Sequence, residues 1–130
     1  MKGRLVIGVL YSGMFLAFGQ SDICATLQDC QKALKENPKS SAAHYGIAEV
    51  FFQERSLQAA ANEFRSALNG DLRPRWTEVW SHIELGKIFD LTKQRDRAIN
   101  EYRLAERTND DTRGALEEAA KYLKSPYEGN

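Results

Sequence analysis

Leu85-Gly86-Lys87-Ile88-Phe89, followed nine residues later by Ala98-Ile99-Asn100-Glu101-Tyr102-Arg103-Leu104-Ala105, decides the fold of this chain. Val79, His82, Leu85, Gly86 and Phe89 fall at three- and four-residue steps, which lines them up on one face of a helix. Ala98, Ile99, Tyr102 and Ala105 make a second such face, and the polar Thr92-Lys93-Gln94-Arg95 lies between the two. Two amphipathic stretches joined by a short polar link predict a helical hairpin whose apolar faces meet.

The same arrangement stands earlier in the chain. Ala43, Ile47, Ala48, Phe51 and Phe52 form one stripe and Ala60, Ala61, Phe64, Ala67 and Leu68 another, with Gln53-Glu54-Arg55-Ser56 as the connection. Ser40 is placed to cap the first of these helices, after Pro38 has closed the one before it. Ala48 and Gly86 hold the same place in their units, as do Ala60 and Ala98. Small side chains there let helix backbones approach closely. The Ala-Leu pair at 33–34 returns at 67–68 after 34 residues, and Ala67 to Ala105 is 38, the same period plus about one helical turn. Repetition at this length is the signature of a stack of helical hairpins. The four additional residues fall around Leu72-Arg73-Pro74-Arg75, so the helix from about Arg75 to Leu91 gains a turn at its start and carries Trp76 and Trp80 stacked four apart. Thr108-Asn109-Asp110-Asp111-Thr112 reads as a polar loop with Thr112 as the next N-cap. Ala115 to Lys124 continues as helix until Ser125-Pro126 stops it.

Ile47-Ala48, Phe51, Ala60, Phe64 and Ala67, matched by Leu85-Gly86, Phe89, Ala98, Tyr102 and Ala105, resemble the tetratricopeptide repeat family over roughly residues 26–123. The resemblance implies an all-α, right-handed solenoid. It would hold a leading half-repeat helix (20–38), two full repeats (40–72 and 75–108), a capping helix (111–124) and a tail (125–130). The chain departs from the family pattern at His44 and His82, which stand where an aromatic opens the motif, and at Leu72 and Glu106. The resemblance also implies a non-catalytic protein–protein interaction module, in which the first helix of each hairpin lines a concave groove. That role falls to Tyr45, Glu49, Phe52 and Gln53 in one unit and to Trp80, Ile83, Glu84, Lys87 and Leu91 in the next. Aromatic rings among a few charges suit recognition of a peptide. The competing reading has Phe52 and Trp80 packed against a neighbouring hairpin or the capping helix. Capture of a partner's C-terminal carboxylate is disfavoured, because Glu49 and Glu84 stand where that anion would sit.

Eighteen Lys and Arg balance eighteen Asp and Glu, which gives no electrostatic reason to expect nucleic acid as a partner. The chain opens differently. Lys2 and Arg4 precede an uncharged run from Leu5 to Phe18, with small residues at Ala17 and Gly19. This is the layout of a secretory signal peptide over residues 1–19, and it predicts a periplasmic or secreted protein. The alternative is an inner-membrane anchor through residues 5–18, the one part of the chain that would then touch a membrane. Cys24 and Cys30 lie six apart, too far along one helix for a bridge, so a disulfide requires Cys24 to sit outside the helix holding Cys30. The simpler expectation is a buried Cys30 and an incidental Cys24. His44 and His82 face their hairpin partners and are expected to be packing residues, not metal ligands. No nucleophile elbow, phosphate-binding glycine loop or zinc spacing occurs, so neither enzyme nor cofactor is expected. Arg95, Arg97, Glu101, Arg103, Glu106 and Arg107 read as a solvated face with pairs such as Arg97–Glu101. The expected partner is a protein segment of unspecified identity, with a second copy of the chain open as another. A small structural subunit of an envelope complex, docking through its edge helices, is the alternative function.

Overall fold

The computed structural model describes residues 24–129, which are all-helical, with six α-helices and no strand. They are α1 (Leu27–Glu36), α2 (Ser41–Gln53), α3 (Leu57–Leu68), α4 (Trp76–Leu91), α5 (Arg95–Arg107) and α6 (Ala115–Lys124), the last preceded by a 3-10 turn at Thr112–Gly114. The segment read as a signal peptide lies outside the described residues. No helix among the described residues is long and apolar enough to cross a membrane.

Consecutive helices pack on one another, most extensively within the α2–α3 and α4–α5 hairpins. Helices α2, α4 and α6 also meet along one side. The expected stripes form the core: Ala48, Ala60, Phe64, Ala67, Ala98, Tyr102 and Ala105 are all fully enclosed. A Cβ on Gly86 would come within 3.0 Å of the Tyr102 ring, so the small residue there is what lets α4 and α5 close. Ser40 caps α2 as read, its Oγ accepting from the Ala43 amide at 3.1 Å. Helix α4 starts at Trp76 and has 16 residues against 13 in α2, which places the added turn at its beginning.

Both hairpins turn by one device. Helix α2 ends with Arg55 at φ 64 and Ser56 N–H donating to Phe51 O. Helix α4 ends with Lys93 at φ 61 and Gln94 N–H donating to Phe89 O. This is the Schellman closure, in which a left-handed residue redirects the chain while the last carbonyls stay bonded. The loop between the hairpins folds back on α2. Ser41 Oγ donates to Ala67 O at 2.6 Å and accepts from Leu72 N–H at 2.8 Å, while Asp71 accepts from the Ser41 and Arg73 amides. Gly70 is required there, because a Cβ would fall 2.5 Å from both Lys39 O and Ser41 Oγ.

Four expectations need correction. Cys24 and Cys30 are joined by a disulfide, because α1 starts at Leu27 and leaves Cys24 outside the helix, with Cα atoms 5.1 Å apart. Thr112 does not cap α6; the Asp111 carboxylate takes the Leu116 amide after a left-handed Gly114 at φ 74. Arg97 does not pair with Glu101, since its guanidinium lies 4.1 Å from the Phe89 ring centroid and Glu101 is taken by His82. Arg95 is no solvated arginine, because Asp90 and two carbonyls of α6 hold it.

Candidate functional site

The side formed by α2, α4 and α6 carries every residue assigned to the groove, but α6 and the segment after it cover most of that side. Tyr45 is buried, edge-on to Phe64 at 5.3 Å and to Trp76 at 5.1 Å. Burial, then the Glu84 and Glu49 carboxylates, hold its phenol well above the ordinary tyrosine pKa. Ile83 is fully enclosed, and Phe52 is buried with the Tyr127 ring standing edge-on at 6.5 Å. Glu84 is 6% exposed. Of the nine expected groove residues these four offer no open surface, because the chain supplies its own cover. Glu49 is half-buried between the Tyr45 phenol and Glu84, and Gln53 is exposed. Trp80 is half-buried and donates its indole N–H to Thr112 O at 2.9 Å. Phe52 thus meets Tyr127 after α6, and Trp80 is bonded to the turn before α6.

Lys87 sits at the centre of this cover. Its ammonium is 2.9 Å from Glu84 and 3.1 Å from Glu118 of α6, and 5.3 Å and 5.8 Å from the Tyr127 and Tyr122 ring centroids. Burial alone would lower the Lys87 pKa, but the two carboxylates outweigh it and raise it. Glu84 responds oppositely. Burial raises it to about 7 even though Lys87 pulls it down, because Glu49 and Glu118 add to the rise. The cluster is a cation enclosed by aromatic rings and carboxylates, which ties α4 to α6.

A second cluster lies at the C-terminal end of α4. Arg95 donates to both Asp90 oxygens at 3.1 Å, and the Tyr102 hydroxyl donates to the same carboxylate at 2.8 Å. The other Arg95 nitrogen donates to the carbonyls of Tyr122 and Leu123 at 2.8 and 3.1 Å, closing the last turn of α6. Tyr127 N–H then donates to Asp90 at 2.9 Å. Burial and the Asp90 hydrogen bond push the Tyr102 phenol above its usual range. A single buried carboxylate therefore holds a helix, a hairpin and the tail together.

Sequence reasoning missed Asp90, Arg95, Tyr102 and Tyr127 as a unit. One signal was available. At the 38-residue offset that matches Ala60 to Ala98, the partners of Asp90, Arg95 and Tyr102 are Phe52, Leu57 and Phe64. Three apolar positions have become polar together. The histidines behave as expected for packing residues: His44 Nδ1 lies 2.8 Å from Glu63 and His82 Nδ1 2.8 Å from Glu101, the same pairing in each hairpin. The described residues hold no group of three or more His, Cys, Asp or Glu side chains placed to bind a metal ion. Comparison with models of protein families, with curated proteins and with solved structures returned no match to this chain.

Proposed function

We propose that this chain is a non-catalytic protein–protein interaction module, a short right-handed stack of two tetratricopeptide-like hairpins that takes a partner polypeptide segment on its concave side. Three features support the stacked-hairpin reading: the 38-residue correspondence of Ala60 with Ala98, of Ala48 with Gly86, and of the two His–Glu pairs. The observation that carries the binding reading is that residues 125–129, which leave α6 through an extended Ser125, already lie on that side with the Tyr127 ring and amide engaged. The Cys24–Cys30 disulfide favours an oxidising compartment, in keeping with export directed by residues 1–19 or retention at the inner membrane through residues 5–18. The intact mass of the cellular protein separates these, since a cleaved chain starting at Gln20 supports export and a full chain the anchor.

The burial of Tyr45, Ile83 and Glu84 favours a second reading, a structural subunit of an envelope complex that docks through its edge helix α1. Photo-crosslinking residues placed at Gln53 and at Leu34 in living cells discriminate the two. Adducts of defined mass from position 53 support the concave-side reading; adducts from position 34 alone overturn it in favour of the edge.

A further inference from the structure

The segment after α6 has the chemistry of a bound peptide. Ser125 leaves the helix in an extended conformation at φ −141 and ψ 140, and Pro126 and Glu128 remain exposed. Tyr127 turns inward. Its ring stands edge-on to Phe52 and, at 5.3 Å, to Tyr122, with the Lys87 ammonium near its centroid; its N–H bonds to Asp90.

The seat is built independently of what fills it. Without the Tyr127 amide, Asp90 keeps both Arg95 bonds and the Tyr102 hydroxyl, so an empty seat leaves no unpaired carboxylate. Nor does the tail fill the space. A cleft of about 470 Å³ remains between Leu91, Lys93 and Arg95 on one wall and Pro126, Tyr127 and Glu128 on the other. The corresponding positions of the first hairpin, Phe52, Leu57 and Phe64, hold no such acceptor, which confines the seat to the second.

We propose that this seat is a peptide-binding site for an extended partner segment that presents Tyr or Phe between a proline and an acidic residue, and that residues 125–129 occupy it as a built-in competitor. The proposal rests on the concave-side reading above and specifies its ligand and its regulation. The ring enters beside Phe52, Tyr122 and the Lys87 ammonium, the amide of the aromatic residue takes Asp90, and the acidic side chain lines the same cleft as Lys93 and Arg95, the place Glu128 holds. Ser125 and Pro126 alone tether Tyr127 to the end of α6 and hold the competitor at an effective concentration on the order of millimolar, so a free peptide meets a largely occupied seat.

The probe is a labelled, end-capped peptide of sequence Lys-Ser-Pro-Tyr-Glu-Gly, titrated into the full chain and into Tyr127→Ala. The variant is expected to bind it at least tenfold more tightly than the natural chain. An N-methyl group on the peptide's tyrosine nitrogen, which removes the donor to Asp90 and leaves the protein untouched, is expected to cost tenfold or more. In the natural chain, unlabelled peptide should shift the Tyr127 and Glu128 amide resonances saturably toward disordered values, a readout that does not depend on the variant folding. Absence of that shift at millimolar peptide overturns the proposal, as does equal binding of the methylated peptide or a tail found exchanged between two copies. If the peptide fails while crosslinks from position 53 persist, the concave-side reading stands and this ligand assignment falls.

Discussion

The hairpins α2–α3 and α4–α5 are alike where their own two helices meet and unlike where they face the C-terminus. Ala60 and Ala98, Ala67 and Ala105, and Ala48 and Gly86 are fully enclosed or nearly so in both, and the same His–Glu pair bridges each hairpin. Against this shared frame, Phe52, Leu57 and Phe64 become Asp90, Arg95 and Tyr102, while Gly46 and Glu49 become Glu84 and Lys87. Every one of the five changed residues in the second hairpin touches, directly or through one partner, α6 or the tail. Close helix approach makes the fold; the polar substitutions make one end of it a clasp.

The largest break in that comparison comes from removing the clasp's acceptor. Asp90→Ala leaves the buried Tyr102 hydroxyl and the Arg95 guanidinium without their partner and should cost about 3–5 kcal/mol in urea denaturation. The combined change Asp90→Phe, Arg95→Leu and Tyr102→Phe copies the first hairpin. It should recover most of that loss while freeing the tail, seen as narrowing of the Tyr127 and Glu128 amide lines. A triple variant no more stable than Asp90→Ala would show that the two hairpins are not interchangeable in this way.

Next in size is a pH dependence present only in the second hairpin, because Gly46 stands where Glu84 does. Burial raises Glu84 from 4.5 to about 7, so the folded chain holds a proton that the unfolded chain releases. The stability this lends is fully present below about pH 4.5 and is lost as pH rises through 7, about 3 kcal/mol in all. Urea midpoints measured from pH 5 to 8 should fall for the natural chain and stay level for Glu84→Gln. A flat profile for the natural chain would mean that Lys87 holds Glu84 ionised throughout.

The shared frame allows a symmetric test. Ala60→Leu and Ala98→Leu each push a larger side chain into an equivalent enclosed crossing, and each should destabilise by about 1–3 kcal/mol. Near-equal losses in calorimetry would confirm that the hairpins pack alike. A loss at one site alone would break the correspondence at that crossing.

Most of the frame was legible because it depends on local spacing. Alanines on one face, Ser40 ahead of a stripe and a proline before an added turn each declare themselves within a few residues. The clasp was not, because its members lie far apart: Arg95 meets the Tyr122 carbonyl across 27 residues and Asp90 meets the Tyr127 amide across 37. Phe52 and Lys87 lie on the side assigned to a groove, and helical spacing alone cannot show that Tyr127 and Glu118 return to cover them. The disulfide turned on where α1 begins, and helix ends are the least certain part of any reading from spacing.

The smallest expected effect lies where both hairpins broke a rule and broke it alike. Arg55 at φ 64 and Lys93 at φ 61 hold a left-handed conformation that glycine adopts freely and other residues adopt at a cost of about 1 kcal/mol. The two positions are 38 residues apart, so the strain repeats with the frame and belongs to neither clasp nor tail. Arg55→Gly and Lys93→Gly should each stabilise the chain by about 0.5–1 kcal/mol, part of the gain being offset by the freer unfolded chain. The gains should be similar if the turns alone decide them. Lys93 lines the cleft together with Glu128, and the Arg55 guanidinium lies near Gly129, so each turn also borders the tail. Both substitutions should therefore loosen the tail amides as they tighten the turn, and unequal gains would measure which of the two side chains contributes more to holding the tail.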